Sequence, residues 1–275
     1  MLCARFLEGP RGRLFSVGMQ PPEQPGPHHW VLVIPPLLDE LNQSRRTLHL
    51  LGQALAARGI GCLLPDLYGT GDSEGDIGDA TWDTWIADLN CVHVWLLGQG
   101  AVRVDLLALR GGALLTRDWL AAAPIRVPHL ILWQPIISGA QLVQQLLRRR
   151  LAAGLVRGSR ATAAALRERM ALDGWIEIAG YRLSAALMTR IEGTALTPPD
   201  ADRVGMVDWF QLVTTDQAIP PAVHRCADSW SAAGLQIGLQ PIVGDTFWAT
   251  PEIVEAVTLI ASTVSRLEQV RDALG

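Results

Sequence analysis

The stretch RVDLLALRGGALLTRDWLAA, residues 103–122, changes periodicity across a pair of glycines. Residues 103–108 form a short, nearly continuous apolar run, which suits a strand buried on both faces of a parallel sheet. Residues 112–122 read as a helix, so the glycines mark a tight strand-to-helix turn. The same unit recurs in both directions along the chain. Apolar runs at 30–34, 60–64, 129–133, 206–214 and 236–242 are the other buried strands. Helices are predicted from Asn42 or Ser44 as cap to 58, over 81–98 and 221–233, and along the C-terminus. Leu48, Leu51 and Leu55 make the inner stripe of the first. Ile253, Val257, Ile260, Val264 and Leu267 make that of the last. A hairpin of 3–7 and 13–18 around Gly9-Pro10-Arg11-Gly12 precedes them, bringing the strands to eight. Such alternation implies a mostly parallel α/β sheet with helices on both faces. Ligands of such sheets bind beyond the carboxyl ends of the strands, so the loops after the strands are where function is sought.

Composition narrows the function classes. Of the 275 residues, 49% are hydrophobic and 18% charged, enough for a large core and too little polarity for a disordered chain. Net charge is −4 and the scattered arginines leave no nucleic-acid footprint. Arg148-Arg149-Arg150 reads as the solvated end of a helix. Cys3, Cys62, Cys91 and Cys226 have neither metal-ligand nor disulfide-framework spacing, and Cys62 reads as an inert buried thiol. Asp72, Glu74 and Asp76 lack the distal glutamate of a calcium loop and read as a solvated turn. No metal or cofactor is expected. Arg5, Glu8, Arg11 and Arg13 interrupt any secretory core, and no apolar run reaches the roughly 20 residues of a membrane span, so a cytoplasmic address is expected. Residues 138–205 break the alternation with helices at 141–155, 161–170 and 185–191 and a hairpin at 175–184 around Ala179-Gly180. They read as a cap inserted into a core of 1–137 and 206–275, one domain overall.

Pro65-Asp66-Leu67-Tyr68-Gly69-Thr70-Gly71-Asp72-Ser73 resembles the D-x-x-G-x-G-x-S loop that follows a core strand in many α/β-hydrolases. More narrowly, four groups of residues are similar to the second of two hydrolase families that accompany the exosortase A protein-sorting system of exopolysaccharide-producing bacteria. They are Ile34-Pro35-Pro36 with Glu40, Asn42 and Ser44-Arg45-Arg46; Leu109-Arg110-Gly111; Trp133-Gln134-Pro135; and Ile178-Ala179-Gly180-Tyr181. The resemblance implies an α/β-hydrolase fold, and it fixes where a catalytic triad would stand. The nucleophile elbow, a G-x-S-x-G turn, falls on Ala108-Leu109-Arg110-Gly111-Gly112, where Arg110 occupies the serine's place. A guanidinium stays protonated and cannot attack an acyl carbon. The histidine position falls on Thr246, and no histidine follows His224. Asp216, ahead of Pro220-Pro221, holds the acid position but has no histidine to orient. Pro35-Pro36 replaces the common His-Gly of the oxyanion loop, leaving the N–H of Leu37 as a donor beside that of Gly111.

Arg110 at a helix N-terminus favours an anion. That anion is either internal, from Asp39, Glu40 or Asp216, or a ligand carboxylate or phosphate. Trp248 is the expected pocket wall, whereas Trp82, Trp85 and Trp133 read as core. His224 reads as a surface or capping residue, Ser73 as structural, and Ser138 as near the site with nothing to activate it. Three functions stay open: a non-catalytic binder of an anionic or acyl-type small molecule, an ester or acyl hydrolase or transferase of non-standard mechanism, and a scaffold for other pathway proteins. For the last, a homo-oligomer or partner would dock on Leu142, Leu146 and Leu147 beside the three arginines.

Overall fold

The computed structural model describes residues 1–21, 28–156, 161–215, 217–250, 252 and 254–274. Its strands are β1 (Leu2–Glu8), β2 (Arg13–Met19), β3 (His29–Ile34), β4 (Gly61–Pro65), β5 (Arg103–Leu109), β6 (Val127–Trp133), β7 (Trp175–Ile178), β8 (Tyr181–Ser184), β9 (Val204–Val213) and β10 (Ile237–Val243). Eight of them form one sheet in the order β1-β2-β4-β3-β5-β6-β9-β10, and β7-β8 is a separate hairpin. From β4 to β10 all pairings are parallel; the β1-β2 and β2-β4 pairings are antiparallel, so β2 alone runs against the rest of the sheet. The expected eight-stranded, mostly parallel sheet is therefore present.

The helices are α1 (Asp39–Ala56), α2 (Trp82–Gly98), α3 (Gly112–Ala122), α4 (Gly139–Val156), α5 (Ala163–Asp173), α6 (Ala185–Glu192), α7 (Pro221–Ala232) and α8 (Val257–Leu274). One face of the sheet buries Trp82, Trp85 and Trp119 from α2 and α3. The other buries Leu51 and Leu55 of α1 with Leu259, Val264 and Leu267 of α8. Each such side chain removed from water contributes on the order of 1.5–3 kcal/mol. Cys62 is buried as expected, and burial pushes its thiol up to about 12.

Four sequence readings are corrected. α1 starts at Asp39, ahead of Asn42 and Ser44: Asp39 and Glu40 put two carboxylates in its first turn, where they favour the helix dipole. The Ser44 hydroxyl instead donates back to the Glu40 carbonyl, and the Asn42 amide donates to the Tyr181 hydroxyl. Val257 opens α8 facing solvent, while Leu259 and Thr263 join the inner stripe; Ile253 lies outside the described residues. Leu142, Leu146 and Leu147 are buried against the core, so they offer no docking surface. Arg149 is not merely solvated, because it pairs with Asp39 and Glu40.

The segment between β6 and β9 carries α4, α5, the β7-β8 hairpin and α6. Its first and last helices meet each other, and α6 is tied to α3. A Cβ on Gly139 would lie 1.7 Å from the Ile191 carbonyl oxygen, so only glycine lets α4 start against the end of α6. Asp118 of α3 accepts hydrogen bonds from Arg190 of α6, Arg117 and the Trp82 indole. None of the described helices is long and apolar enough to cross a membrane.

Candidate functional site

Arg110 stands in a tight turn between strand and helix. Arg110 has φ 55°, a left-handed conformation for a residue with a Cβ, between the end of β5 and the start of α3. Three hydrogen bonds hold it there: its N–H donates to the Trp133 carbonyl, and its carbonyl accepts from the N–H groups of Ile136 and Ala113. Gly112 must be glycine, because a Cβ would meet the Pro35 carbonyl oxygen at 2.5 Å and that of Ile34 at 2.7 Å. Leu38 (φ 59°) and Gln134 (φ 44°) are also left-handed, so non-glycine strain gathers where β3, β5 and β6 end. Such clustering is characteristic of functional sites.

The arginine side chain lies in a prepared place. Its Nε donates to Glu40 Oε2 at 3.3 Å, and its Nη2 donates to Glu40 Oε1 and to Gln145 Oε1, each at 3.4 Å. The guanidinium sits over the Trp248 ring, 4.9 Å from its centroid. Trp248 is held edge-on by Phe247, and Phe247 by Trp133, whose indole N–H donates to Thr263 of α8. Glu40 also accepts from Arg149 at 3.3 Å, and Arg149 pairs with Asp39 at 2.9 Å. Two guanidinium groups thus face two carboxylates, a network of no net charge. All contacts of Arg110 are at the long edge of hydrogen bonding, and its Nη1 has no acceptor among the described residues. Its grip on Glu40 is loose.

The other expected site residues are placed as follows. Leu37 and Gly111 are neighbours, since a Cβ on Gly111 would lie 3.1 Å from Leu37 Cγ. Both are buried, and neither N–H has a protein acceptor among the described residues. Thr246 is exposed in the loop after β10, with Phe247 and Trp248 buried beneath it. Asp216 lies outside the described residues. Ser138 is engaged in a bridge with Ala195, and its hydroxyl accepts from the Gln141 N–H. His224 is exposed in the first turn of α7. The Ser73 hydroxyl ties the loop after β4 by donating to the Asp66 carbonyl and accepting from the Phe15 N–H. Asp76 caps a 3-10 turn and Glu74 pairs with Arg13; the described residues hold no acidic or histidine group suited to a metal.

Sequence reasoning missed Gln145 and Arg149. Their four-residue spacing puts them on one face of α4, and that spacing, beside buried Leu142 and Leu146, was the available signal.

No family model matches the chain, and no curated protein matches it. Solved structures do. Est1E from Butyrivibrio proteoclasticus with bound ferulic acid aligns at TM-score 0.68 and 16% identity, over 98% of this chain and 100% of that one. Mouse alpha/beta hydrolase domain-containing protein 10 aligns at 0.62 and 14%, over 99% and 100%. A serine hydrolase without lid from Xanthomonas campestris aligns at 0.60 and 16%, over 98% and 94%. At these identities the likeness is one of fold: the chain has an α/β-hydrolase fold.

Proposed function

We propose that this chain is a non-catalytic member of the hydrolase-fold group, of the exosortase A-associated type, that holds an anionic or acyl-type small molecule under its cap. The observation that carries this reading is the left-handed backbone of Arg110, in the turn to which the resemblance assigns the nucleophile. The flanking Leu37 and Gly111 N–H groups are still donors, and a buried N–H without an acceptor is costly. A ligand oxygen between them would satisfy both and meet the unused Nη1 of Arg110. The aromatic face of Trp248 and the buried leucines of α4 supply the apolar wall. Residues 138–205 act as the cap. The pathway assignment and a bacterial cytoplasmic setting rest on the motif resemblance.

Two measurements test this. A fluorophosphonate probe leaves the protein unlabelled, and p-nitrophenyl esters turn over no faster than with denatured protein, because a triad is needed for all but about 10³–10⁴ of such catalysis. Stoichiometric labelling of any serine would overturn the reading. In a thermal-shift screen of fatty acids, acyl phosphates and sugar acids, a ligand at about 100 times its dissociation constant stabilises the fold by about 2.7 kcal/mol. Arg110→Met removes that shift; a shift that survives it places the ligand elsewhere.

A further inference from the structure

Across Leu38 from the elbow, the start of α1, the loop after β4 and the tip of the β7-β8 hairpin enclose a cavity of about 350 Å³. We propose that this cavity binds a free α-amino acid with an apolar side chain. It is a second site, independent of Arg110, and its lining dictates the chemistry.

Arg45 reaches it with a guanidinium fixed from behind. Only its Nη2 is engaged, donating to both oxygens of buried Asp66 at 2.9 and 3.0 Å. Its Nε and Nη1 have no acceptor among the described residues. The loop backbone closes on that ion pair: Gly71 has φ 53°, and a Cβ there would lie 1.9 Å from Asp66 Oδ2 and 2.7 Å from Arg45 Nη2. The Asp72 N–H donates to Asp66 as well, at 3.0 Å. The free edge of Arg45 is therefore pre-organised for a carboxylate, which it can bind through two parallel N–H groups. Tyr181 adds a hydroxyl proton, since its oxygen already accepts from Asn42 at 3.2 Å.

The rim also carries an exposed carboxylate, Asp72, whose oxygens accept no hydrogen bond among the described residues. With Asp66 committed to Arg45, Asp72 leaves the cavity with one excess negative charge. A simple anion would be repelled by Asp72, and a simple cation would leave the free edge of Arg45 without an acceptor. A zwitterion satisfies both, with its carboxylate on Arg45 and its ammonium on Asp72. Leu38, Leu41 and Ile77 form a buried apolar wall, which selects a hydrocarbon side chain.

The test is calorimetry and thermal shift on the full chain with L-leucine. N-acetyl-L-leucine, L-leucinamide and glycine each lack one of the three recognised features. L-leucine at about 100 times its dissociation constant is expected to raise Tm by about 5–10 °C. Each of the three probes is expected to bind at least about tenfold more weakly, the loss of one charge-assisted contact or of the apolar one. Asp72→Asn, a rim substitution that leaves the Arg45–Asp66 pair intact, weakens leucine about tenfold but strengthens N-acetyl-leucine, which no longer meets a like charge. Tyr181→Phe weakens both. The proposal is overturned if leucine, isoleucine, valine, methionine and phenylalanine all fail to shift Tm at about 10 mM. It is equally overturned if N-acetyl-leucine binds as tightly as leucine, or if Asp72→Asn binds leucine unchanged.

Discussion

Arg110 carries two burdens, a left-handed backbone and a mostly buried charge, and they can be separated by substitution. Positive φ at a residue with a Cβ costs roughly 1–3 kcal/mol. Alanine keeps that strain, deletes the cation over Trp248 and removes one of the two guanidinium groups on Glu40, which is only 5% exposed. Stranding a buried carboxylate outright costs about 3–5 kcal/mol, but Arg149 remains 3.3 Å away, so Arg110→Ala is expected to cost about 2–3 kcal/mol. Arg110→Gly loses the same contacts and relieves the backbone, so it should be about 1 kcal/mol more stable than the alanine variant in urea titration. Equal stability of the two would mean that the turn is not strained. Adding Glu40→Gln to Arg110→Ala should recover part of the loss. At this scale the sequence was informative about chemistry and silent about choice. An arginine in the turn between β5 and α3 was legible, and so were its three candidate carboxylates. That Glu40 takes Arg110 while Asp39 goes to Arg149 depends on where α1 begins, which propensity alone misjudged by a turn.

The inserted segment holds its position through a few polar contacts as well as its leucines. Asp118 binds Arg190 of α6 at 2.9 Å and Arg117 at 2.7 Å and caps the Trp82 indole at 2.9 Å, so a single carboxylate joins α2, α3 and α6. It is 8% exposed, while its arginine partners are about one-third to one-half exposed, which makes each pair worth less than a fully buried one. Asp118→Asn keeps an acceptor for Trp82 and removes the charge. Its expected cost is about 1 kcal/mol, with amide exchange accelerating in 185–192 more than in β5 or β6. Uniform acceleration across the chain would show that α6 has no independent hold on the core. Helix and hairpin positions in this segment were readable from spacing. The burial of Leu142, Leu146 and Leu147 was not, because an amphipathic helix looks the same in sequence whether its apolar face meets the core or a partner.

Over the whole molecule, alternating apolar runs and helices specified the sheet because each parallel strand must be buried on both faces. Buried polar groups inside that sheet left no periodic signal. His29 meets Asp105 and His129 meets Asp208, each at 2.7 Å, and in both pairs the aspartate stands two residues past the histidine's neighbour on the adjoining parallel strand. Arg103 and Arg266 complete the two clusters. Burial alone would raise the Asp208 pKa, but hydrogen bonds from His129 and Arg266 hold it below the ordinary value. Asp88 is the opposite case. It is fully buried on α2; one oxygen accepts from the Tyr68 N–H at 2.8 Å and the other has no partner among the described residues. Burial raises its pKa from 3.8 to about 6, against the Tyr68 hydrogen bond and the charge of Arg11. Between those two values the folded chain keeps a proton that the unfolded chain has released. Stability from this group is therefore complete below about pH 4 and is lost as pH rises through about 6. Asp88→Asn cannot ionise and keeps an acceptor for Tyr68. The variant should match the wild type or fall slightly below it at pH 4, and exceed it by about 1–2 kcal/mol at pH 7, the amide's own unpaired group offsetting part of the gain. Measured as the difference between urea midpoints of the two proteins, this cancels the contributions of Asp208 and every other common carboxylate. A difference that stays flat from pH 4 to pH 7 would show that Asp88 ionises normally inside the fold, and with it that water reaches the space between Tyr68 and α2.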